Sequence, residues 1–393
     1  MKNMDLDQIR KNTPGVENVI HFNNAGASLP SRDTLEAQLS YLSEETLWGG
    51  YETAKKFQDE LESFYGQSAQ LVNAEPEEMA YTDSATTAWQ RAFFSIPYKK
   101  GDEVITSESA YESNYIAYLN ARQRWGIRIV VTPSHTNGEV DIPSLEKRIS
   151  PKTRLIAITH IPTGDGLVNP AEAVGEVAQE HGIPYLLDAC QSVGQYPVDV
   201  QRLRCTFLSS TGRKFLRAPR GTGLLYVCKK HLHLEPLSLD LHGAEWLSET
   251  EYNAREDARK FETWECNPAN KLGMVTALKE LNALDIQEVW KRVVHLADEL
   301  RGQLDRIPDI QVRDQGKVKS GIVTFTSDRK AATQIQQELK EQNINTSVAV
   351  KSGTLLNMKK RGLDQMVRAS VHYYNTMEET DQFINALTKI LHV

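Results

Sequence analysis

Two residues in the middle of the chain carry side chains suited to chemistry and stand where strands of a buried sheet would end. Asp188 closes the apolar run at residues 184–188, and Lys214 lies 26 residues further on, in Ser-Ser-Thr-Gly-Arg-Lys-Phe at residues 209–215. A carboxylate directly after so apolar a run is costly to leave charged and unpaired. Lys214 taken alone is compatible with a solvated surface pair with Arg213. Its role therefore depends on whether the fold brings it close to Asp188.

The surrounding sequence predicts a sheet that would bring the two together. Short apolar runs alternate with segments of helical period at residues 103–106, 128–132, 155–160, 184–188, 206–209 and 224–227. This alternation, with strands too apolar to show a period of two, predicts a mainly parallel sheet covered on both faces. Ligands of such sheets bind beyond the carboxyl ends of the strands, which is where Asp188 and Lys214 stand.

The rhythm changes after about residue 270, where a long helical stretch leads into short strands and helices typical of a small α+β domain. We therefore predict three parts. An amino-terminal segment at residues 1–70 packs with the small domain, residues 71–270 form a large α/β domain, and residues 271–393 form the small carboxyl-terminal α+β domain.

The residue types at the strand ends fit one cofactor. A protonated pyridine nitrogen would give Asp188 a cationic partner, and the ion pair would keep the ring an electron sink. Lys214 could form a Schiff base with the aldehyde of the same ring, and its amine, with a pKa depressed by burial and by Arg213, could later move a substrate proton. Ser84 and Thr86 open an apparent helix whose backbone N–H groups could hold a phosphate. Together these features suit a pyridine aldehyde that bears a phosphate.

Four motifs in order carry a family resemblance. They are Asp-x-x-Gln-Ser at residues 188–192, Thr-Gly-Arg-Lys-Phe at 211–215, Pro-Arg-Gly-Thr-Gly at 219–223 and Arg-Ala-Ser-Val-His-Tyr-Tyr-Asn at 368–375. The set resembles the class V aminotransferase family, the NifS-like pyridoxal phosphate enzymes of fold type I, over nearly the whole chain. The resemblance implies an amino-acid substrate and a homodimer with active sites at the subunit boundary.

The resemblance also implies a role for each matching residue. Lys214 would carry the cofactor, Asp188 would pair with the ring nitrogen, Gln191 would donate to the ring's phenolic oxygen and Tyr111 would stack on the ring. The remaining cofactor residues would be Ser84, Ala85, Thr86, Thr163, Thr211 and Arg213, with Asn267 reaching toward a neighbouring subunit's cofactor. Arg368 would clamp the substrate carboxylate. Apart from the resemblance, Asn24 and His242 are candidates to face the substrate.

Plainer interpretations stay open for several of these residues. Tyr111 is also compatible with an edge-of-core tyrosine, and Arg368 with a strand-face arginine paired with a carboxylate. Asn24 is also compatible with a turn residue before Gly26, and His242 with loop packing.

The sequence departs from relatives that strip sulfur from cysteine. Those enzymes keep a nucleophilic cysteine in the loop before the carboxylate-binding arginine, whereas residues 343–368 contain none. Tyr111 and Arg213 replace histidines, and Thr163 replaces an asparagine. Desulfuration through a persulfide is therefore disfavoured, and the pattern is most similar to the subgroup of hercynylcysteine sulfoxide lyases and isopenicillin N epimerase-like proteins.

The preferred expectation is therefore a lyase that acts on a sulfur-containing amino acid by β-elimination, with Lys214, Asp188 and Tyr111 as catalytic residues. A class V aminotransferase or an amino-acid epimerase is the alternative, because both begin with loss of the same α proton. Cysteine desulfurase ranks below these. A catalytically idle binding protein on the same fold is the non-enzyme alternative, and retention of both Asp188 and Lys214 argues against it.

Composition excludes other classes of protein. A net charge of −7 with interspersed signs leaves no basic stripe for nucleic acid. No run approaches the roughly 20 apolar residues of a membrane span, so a cytoplasmic protein is expected. The four cysteines are widely spaced without a Cys-x-x-Cys pair, which predicts neither disulfides nor a metal site.

Overall fold

The computed structural model describes residues 4–392. The first part of the chain contains α1 (Leu6–Lys11), β1 (Ile20–His21), α2 (Arg32–Trp48), α3 (Gly50–Lys56) and α4 (Gln58–Val72). Next come β2 (Met79–Thr82), α5 (Ala85–Phe94), β3 (Glu103–Ser107), α6 (Glu112–Trp125), β4 (Arg128–Thr132), α7 (Ile142–Glu146), β5 (Thr153–Thr159), α8 (Ala171–Glu180), β6 (Tyr185–Asp188), α9 (Val200–Leu203), β7 (Phe207–Thr211), β8 (Gly223–Val227), β9 (Ala244–Trp246), β10 (Tyr252–Ala254) and α10 (Pro268–Asn282). The last part contains α11 (Ile286–Leu304), β11 (Ile310–Val312), β12 (Ile322–Ser327), α12 (Ala332–Lys340), β13 (Ile344–Asn345), β14 (Ser347–Val350), α13 (Leu355–Lys360), β15 (Gln365–Ser370) and α14 (Met377–His392).

A seven-stranded sheet in the order β2-β8-β7-β6-β5-β3-β4 forms the large domain. Neighbouring strands from β7 to β4 pair in parallel, whereas β8 is antiparallel to both β7 and β2. The predicted α/β fold with a mainly parallel sheet is therefore confirmed. Because β5, β6 and β7 are adjacent and parallel, the residues that follow them meet at one edge of the sheet.

The sheet is buried on both faces, as its uninterrupted apolar strands predict. On one face, α4, α8 and α10 contribute to an apolar core with the inward side chains of β5 and β6. On the other face, α5 and α6 pack through Trp89, Phe93 and Tyr118. The ring centroids of Trp89 and Phe93 are 4.9 Å apart in a stacked arrangement.

A four-stranded antiparallel sheet in the order β11-β12-β15-β14 forms the small domain. Its core contains side chains from β12, β15, α11, α12 and α14. Strand β1 pairs in parallel with β13, so the amino-terminal segment adds to this domain. The same segment also reaches the large domain, because α4 packs against α10 and lies in the core of the large sheet. The domain limits drawn from the sequence remain a prediction.

Within residues 4–392, no helix combines the length and the apolar character needed to cross a membrane.

The turn after β6 approaches the Lys214 segment closely at Gly194. This residue has φ of +101°, and a Cβ there would lie 2.3 Å from the backbone carbon and oxygen of Phe215. The backbone that carries Lys214 therefore rests directly on a position that accepts no side chain.

Gly194→Ala is expected to destabilise the protein more than a glycine change that adds only backbone strain. Gly182→Ala is the matched control, because Gly182 has φ of +63° and a Cβ added there would meet no other atom within 4 Å. The control is expected to cost about 1–2 kcal/mol of unfolding free energy, and Gly194→Ala a further 1–3 kcal/mol or so from the clash. Urea unfolding of both variants measures this difference, and equal losses would contradict it.

Candidate active site

Two adjoining cavities lie at the carboxyl edge of the large sheet, where it meets the small domain. The inner cavity has a volume of about 90 Å³ and is lined by Ser84, Ala85, Thr86, Trp89, Tyr111, Asn114, Asp188, Cys190, Ser209, Thr211, Arg213 and Lys214. The outer cavity has a volume of about 220 Å³ and is lined by Ala25, Gly26, Tyr111, Glu112, Thr163, Gly164, Arg213, Lys214, Val348, Ala349, Val350, Gly353, Thr354 and Arg368. Tyr111, Arg213 and Lys214 border both.

Asp188 is the last residue of β6 and is 4% exposed. Its Oδ2 accepts a hydrogen bond from Asn114 Nδ2 at 2.8 Å, and its Oδ1 accepts one from the Cys190 backbone N–H at 3.1 Å. Both donors are neutral, so they orient the carboxylate without cancelling its charge. The inner cavity therefore presents a buried anion that a cationic ring nitrogen would neutralise.

Lys214 follows β7, the strand next to β6, and its side chain borders the same cavity as Asp188. Burial lowers the pKa of its amine to about 8, and the neighbouring Arg213 adds to the effect. A neutral fraction of this amine is therefore present near neutral pH, as Schiff-base formation requires.

The start of α5 forms one wall of the inner cavity. Ser84 caps this helix, with its Oγ accepting from the Thr87 backbone N–H at 3.1 Å. Ala85 and Thr86 follow in the first turn, where helix N–H groups have no intrahelical partner and attract anions. Thr211 lines the same cavity. These groups, with Asp188 and Lys214, fit a phosphate-bearing pyridine aldehyde.

Arg368 on β15 enters the outer cavity from the small domain. Its Nε donates to Ser347 Oγ at 2.9 Å, and its Nη1 donates to the carbonyl oxygen and to the hydroxyl of Thr163 at 2.9 and 2.8 Å. Burial, with Arg213 nearby, lowers the pKa of Arg368 to about 10. A buried guanidinium held only by neutral acceptors is a suitable partner for a substrate carboxylate.

Thr163 lines the outer cavity and Tyr111 lines both, whereas Gln191 contacts Thr163 and lines neither cavity. Gln191 Nε2 donates to Thr163 Oγ1 and to the Ala25 carbonyl, each at 3.1 Å, while its buried Oε1 has no hydrogen-bond partner among the described residues. Tyr111 is the N-cap residue of α6, and burial raises the pKa of its phenol. Arg213 donates to the carbonyl of Gly26, which draws its guanidinium toward the outer cavity.

Besides Gln191, three residues assigned from the sequence lie outside the two cavities. Asn24 is fully buried and uses its amide on the Ser370 carbonyl at 2.7 Å, so Ala25 and Gly26 face the outer cavity in its place. His242 Nε2 lies 3.2 Å from Glu262 Oε2, away from the cavity-lining set. Asn267 caps α10 and borders a separate cavity beside α5. Their predicted roles find no support in the geometry of a single chain.

Sequence reasoning missed Asn114, Trp89, Ser209 and the cavity-facing position of Cys190. Asn114 lies three residues after Tyr111 on α6, and this helical spacing on one face was the available signal. Burial and the adjacent Asp188 raise the pKa of the Cys190 thiol, which disfavours the thiolate.

The fold and the site define a pyridoxal phosphate-dependent enzyme. A family model described as aminotransferase class-V matches residues 20–383, and the chain belongs to this family. A probable cysteine desulfurase of Methanothermobacter thermautotrophicus is 27% identical and covers 98% of each chain. Among solved structures, the cysteine desulfurase of Thermococcus onnurineus NA1 superposes with a TM-score of 0.90 at 22% identity, covering 98% of each chain.

A third comparison concerns the cofactor directly. A mutant of C-DES, solved with glycine covalently linked to its PLP cofactor, has a TM-score of 0.88 at 22% identity and covers 96% of this chain and 98% of that one. The fold is thus that of fold type I pyridoxal phosphate enzymes, and the cofactor of this enzyme is pyridoxal 5'-phosphate.

The comparisons correct the preferred reaction. The matching relatives are consistently named cysteine desulfurases, the class ranked below the alternatives from the sequence. The expectation of a β-eliminating lyase is therefore wrong, and aminotransferase or epimerase activity fits no better. The finer resemblance to hercynylcysteine sulfoxide lyases is not supported.

Capture of added pyridoxal phosphate by the cofactor-free protein is expected to follow the titration of Lys214. Because the pKa of its amine is lowered to about 8, the neutral fraction should rise about tenfold per pH unit below pH 8 and level off above it. Stopped-flow absorbance across pH 6–10 or so measures the capture rate, with Lys214→Arg as the unreactive control. A midpoint near the ordinary lysine pKa of 10.5 would contradict the buried setting of the amine.

Proposed function

We propose that this enzyme is a cysteine desulfurase, which removes the sulfur of L-cysteine and leaves alanine. The observation that carries the proposal is the convergence of Lys214, Asp188 and Arg368 on two adjoining cavities in a chain whose curated relatives are named cysteine desulfurases. The volume of the outer cavity, about 220 Å³, suits a small amino acid.

Each of these residues has a defined task in the proposal. Arg368 binds the substrate carboxylate with its two-pronged guanidinium. The Lys214 amine, neutral in part at physiological pH, takes and returns the proton at the substrate's α carbon. Asp188 stabilises positive charge at the ring nitrogen, and Tyr111 covers the shared boundary of the two cavities. Pyridoxal phosphate, when bound, supplies the electron sink for the α carbon.

The sulfur must pass to a thiol. In the balanced reaction, cysteine and an acceptor thiol give alanine and a persulfide, with the carbon–sulfur bond broken and a sulfur–sulfur bond formed. The wall of the outer cavity from Val348 to Thr354 carries no thiol. Cys190 lines the inner cavity, but its raised pKa makes it a poor nucleophile. We therefore propose that the acceptor thiol comes from outside residues 348–354 and is not the thiol of Cys190.

A homodimer and a cytoplasmic location remain part of the proposal. The exposed face of α2 carries Leu35, Leu39 and Leu42 at helical spacing, followed by the exposed Trp48 and Tyr51. A second copy of the chain is the partner that the family resemblance implies for such a face.

With pyridoxal phosphate, L-cysteine and excess dithiothreitol, the purified enzyme is expected to form alanine and sulfide in equal amounts. Dithiothreitol serves as the acceptor thiol and reduces the persulfide, so turnover should increase with its concentration. Lys214→Ala is expected to fold and to form neither product, because no amine is left to move the α proton. Formation of pyruvate and ammonia in place of alanine would overturn the proposed reaction.

Arg368→Lys is expected to raise the KM for cysteine by about 10- to 100-fold, because a point charge replaces a bidentate donor to the substrate carboxylate. Steady-state kinetics measure the effect, with kcat expected to change less than KM. Arg154→Lys is the control, since Arg154 is an exposed residue near the amino end of β5 and pairs with Asp102. An unchanged KM in the Arg368 variant would exclude the clamp.

A further inference from the structure

The first turn of α6 brings two side chains to the inner cavity. Tyr111 is the N-cap residue, and Asn114 follows three residues later on the same face of the helix. Both line the cavity, and Asn114 is 5% exposed. The fold thus holds Asn114 in a buried position, and its contacts are not those of a mobile surface side chain.

The amide of Asn114 is directed at the carboxylate of Asp188. Its Nδ2 lies 2.8 Å from Asp188 Oδ2, in a contact buried on both sides. The other carboxylate oxygen accepts from the Cys190 backbone N–H. The Cys190 backbone N–H is close to Asp188 in the chain and moves with it, whereas the Asn114 amide belongs to a different element, α6. The orientation of the carboxylate plane therefore depends on Asn114.

We propose that Asn114 is a positioning residue that fixes the Asp188 carboxylate toward the ring nitrogen of pyridoxal phosphate. A neutral amide orients the carboxylate and leaves its charge for the ring, whereas a cationic side chain at this position would compete with the ring nitrogen for that charge. This inference rests on the cofactor site used in the proposed function. It does not depend on which amino acid is the substrate.

Asn114→Leu tests this role, because leucine has the same branching and the same number of side-chain heavy atoms but no donor. Loss of a hydrogen bond to a charged group is expected to weaken binding of pyridoxal phosphate by about 10- to 100-fold. It should also shift the pH at which the absorption spectrum of the bound cofactor changes. Asn120→Leu is the matched control, since Asn120 lies on the same helix and borders a separate groove with Phe94 and Trp125.

A second variant keeps the test decisive if the leucine substitution impairs folding. Asn114→Asp places a carboxyl group beside Asp188, and two carboxyl groups at this distance share a proton. An additional titration step should then appear in the spectrum of the bound cofactor, and Asn120→Asp should show none.

The readouts separate positioning from a merely structural role. Wild-type affinity and wild-type spectral titration in the Asn114 variants would overturn the inference. So would a lower melting temperature of the cofactor-free protein combined with an unchanged spectral titration after loading. Because binding and spectra are measured without cysteine, a failure of the proposed reaction would leave these results interpretable.

Discussion

The site depends on a negative charge buried at the end of an apolar strand. Asp188 follows three buried residues of β6 and lies between the ends of β5 and β7. Burying a carboxylate in such a place is costly unless something compensates. Its hydrogen bonds from Asn114 and Cys190 come from neutral groups, so in the proposed site a cationic ring nitrogen would compensate its charge. The proposed site for the cationic ring thus lies next to the Lys214 amine, whose pKa is lowered by burial.

The fold provides this arrangement through strand order. Adjacent parallel strands β5, β6 and β7 deliver Thr163, Asp188 and Lys214 to one edge, after which β8 turns back antiparallel. The small domain supplies Arg368 from the other side. Each group is thus carried by a different element, and the sheet fixes their spacing more firmly than a single long loop would.

The sequence was sufficient to predict the parts that depend on local pattern. Uninterrupted apolar strands predicted a sheet covered on both faces, and a carboxylate after one strand with a lysine after the next predicted their meeting. The helical spacing from Tyr111 places Asn114 on the same face of α6, but its role depends on a contact with Asp188, 74 positions away in the chain. Asn24 shows the reverse, since the Ser370 carbonyl occupies its amide in a way that no spacing reveals.

The reaction class was harder to predict than the fold, because its ranking rested on a missing cysteine before Arg368 and on the replacements at Tyr111, Arg213 and Thr163. The residues that help to remove the proton from the substrate's α carbon are separate from the thiol that receives the sulfur. A chain can keep those residues while a thiol from elsewhere receives the sulfur. The proposed reaction therefore rests on similarity over the whole chain more than on a single loop position.

The contact between Arg368 and Thr163 has a consequence for how tightly any amino acid is held. In the resting protein the guanidinium already has acceptors from the opposite domain. If Arg368 binds the substrate carboxylate as proposed, that carboxylate gains only the difference between the new ion pair and the hydrogen bonds that it displaces. In the proposed clamp, recognition is therefore an exchange of hydrogen-bond partners at Arg368.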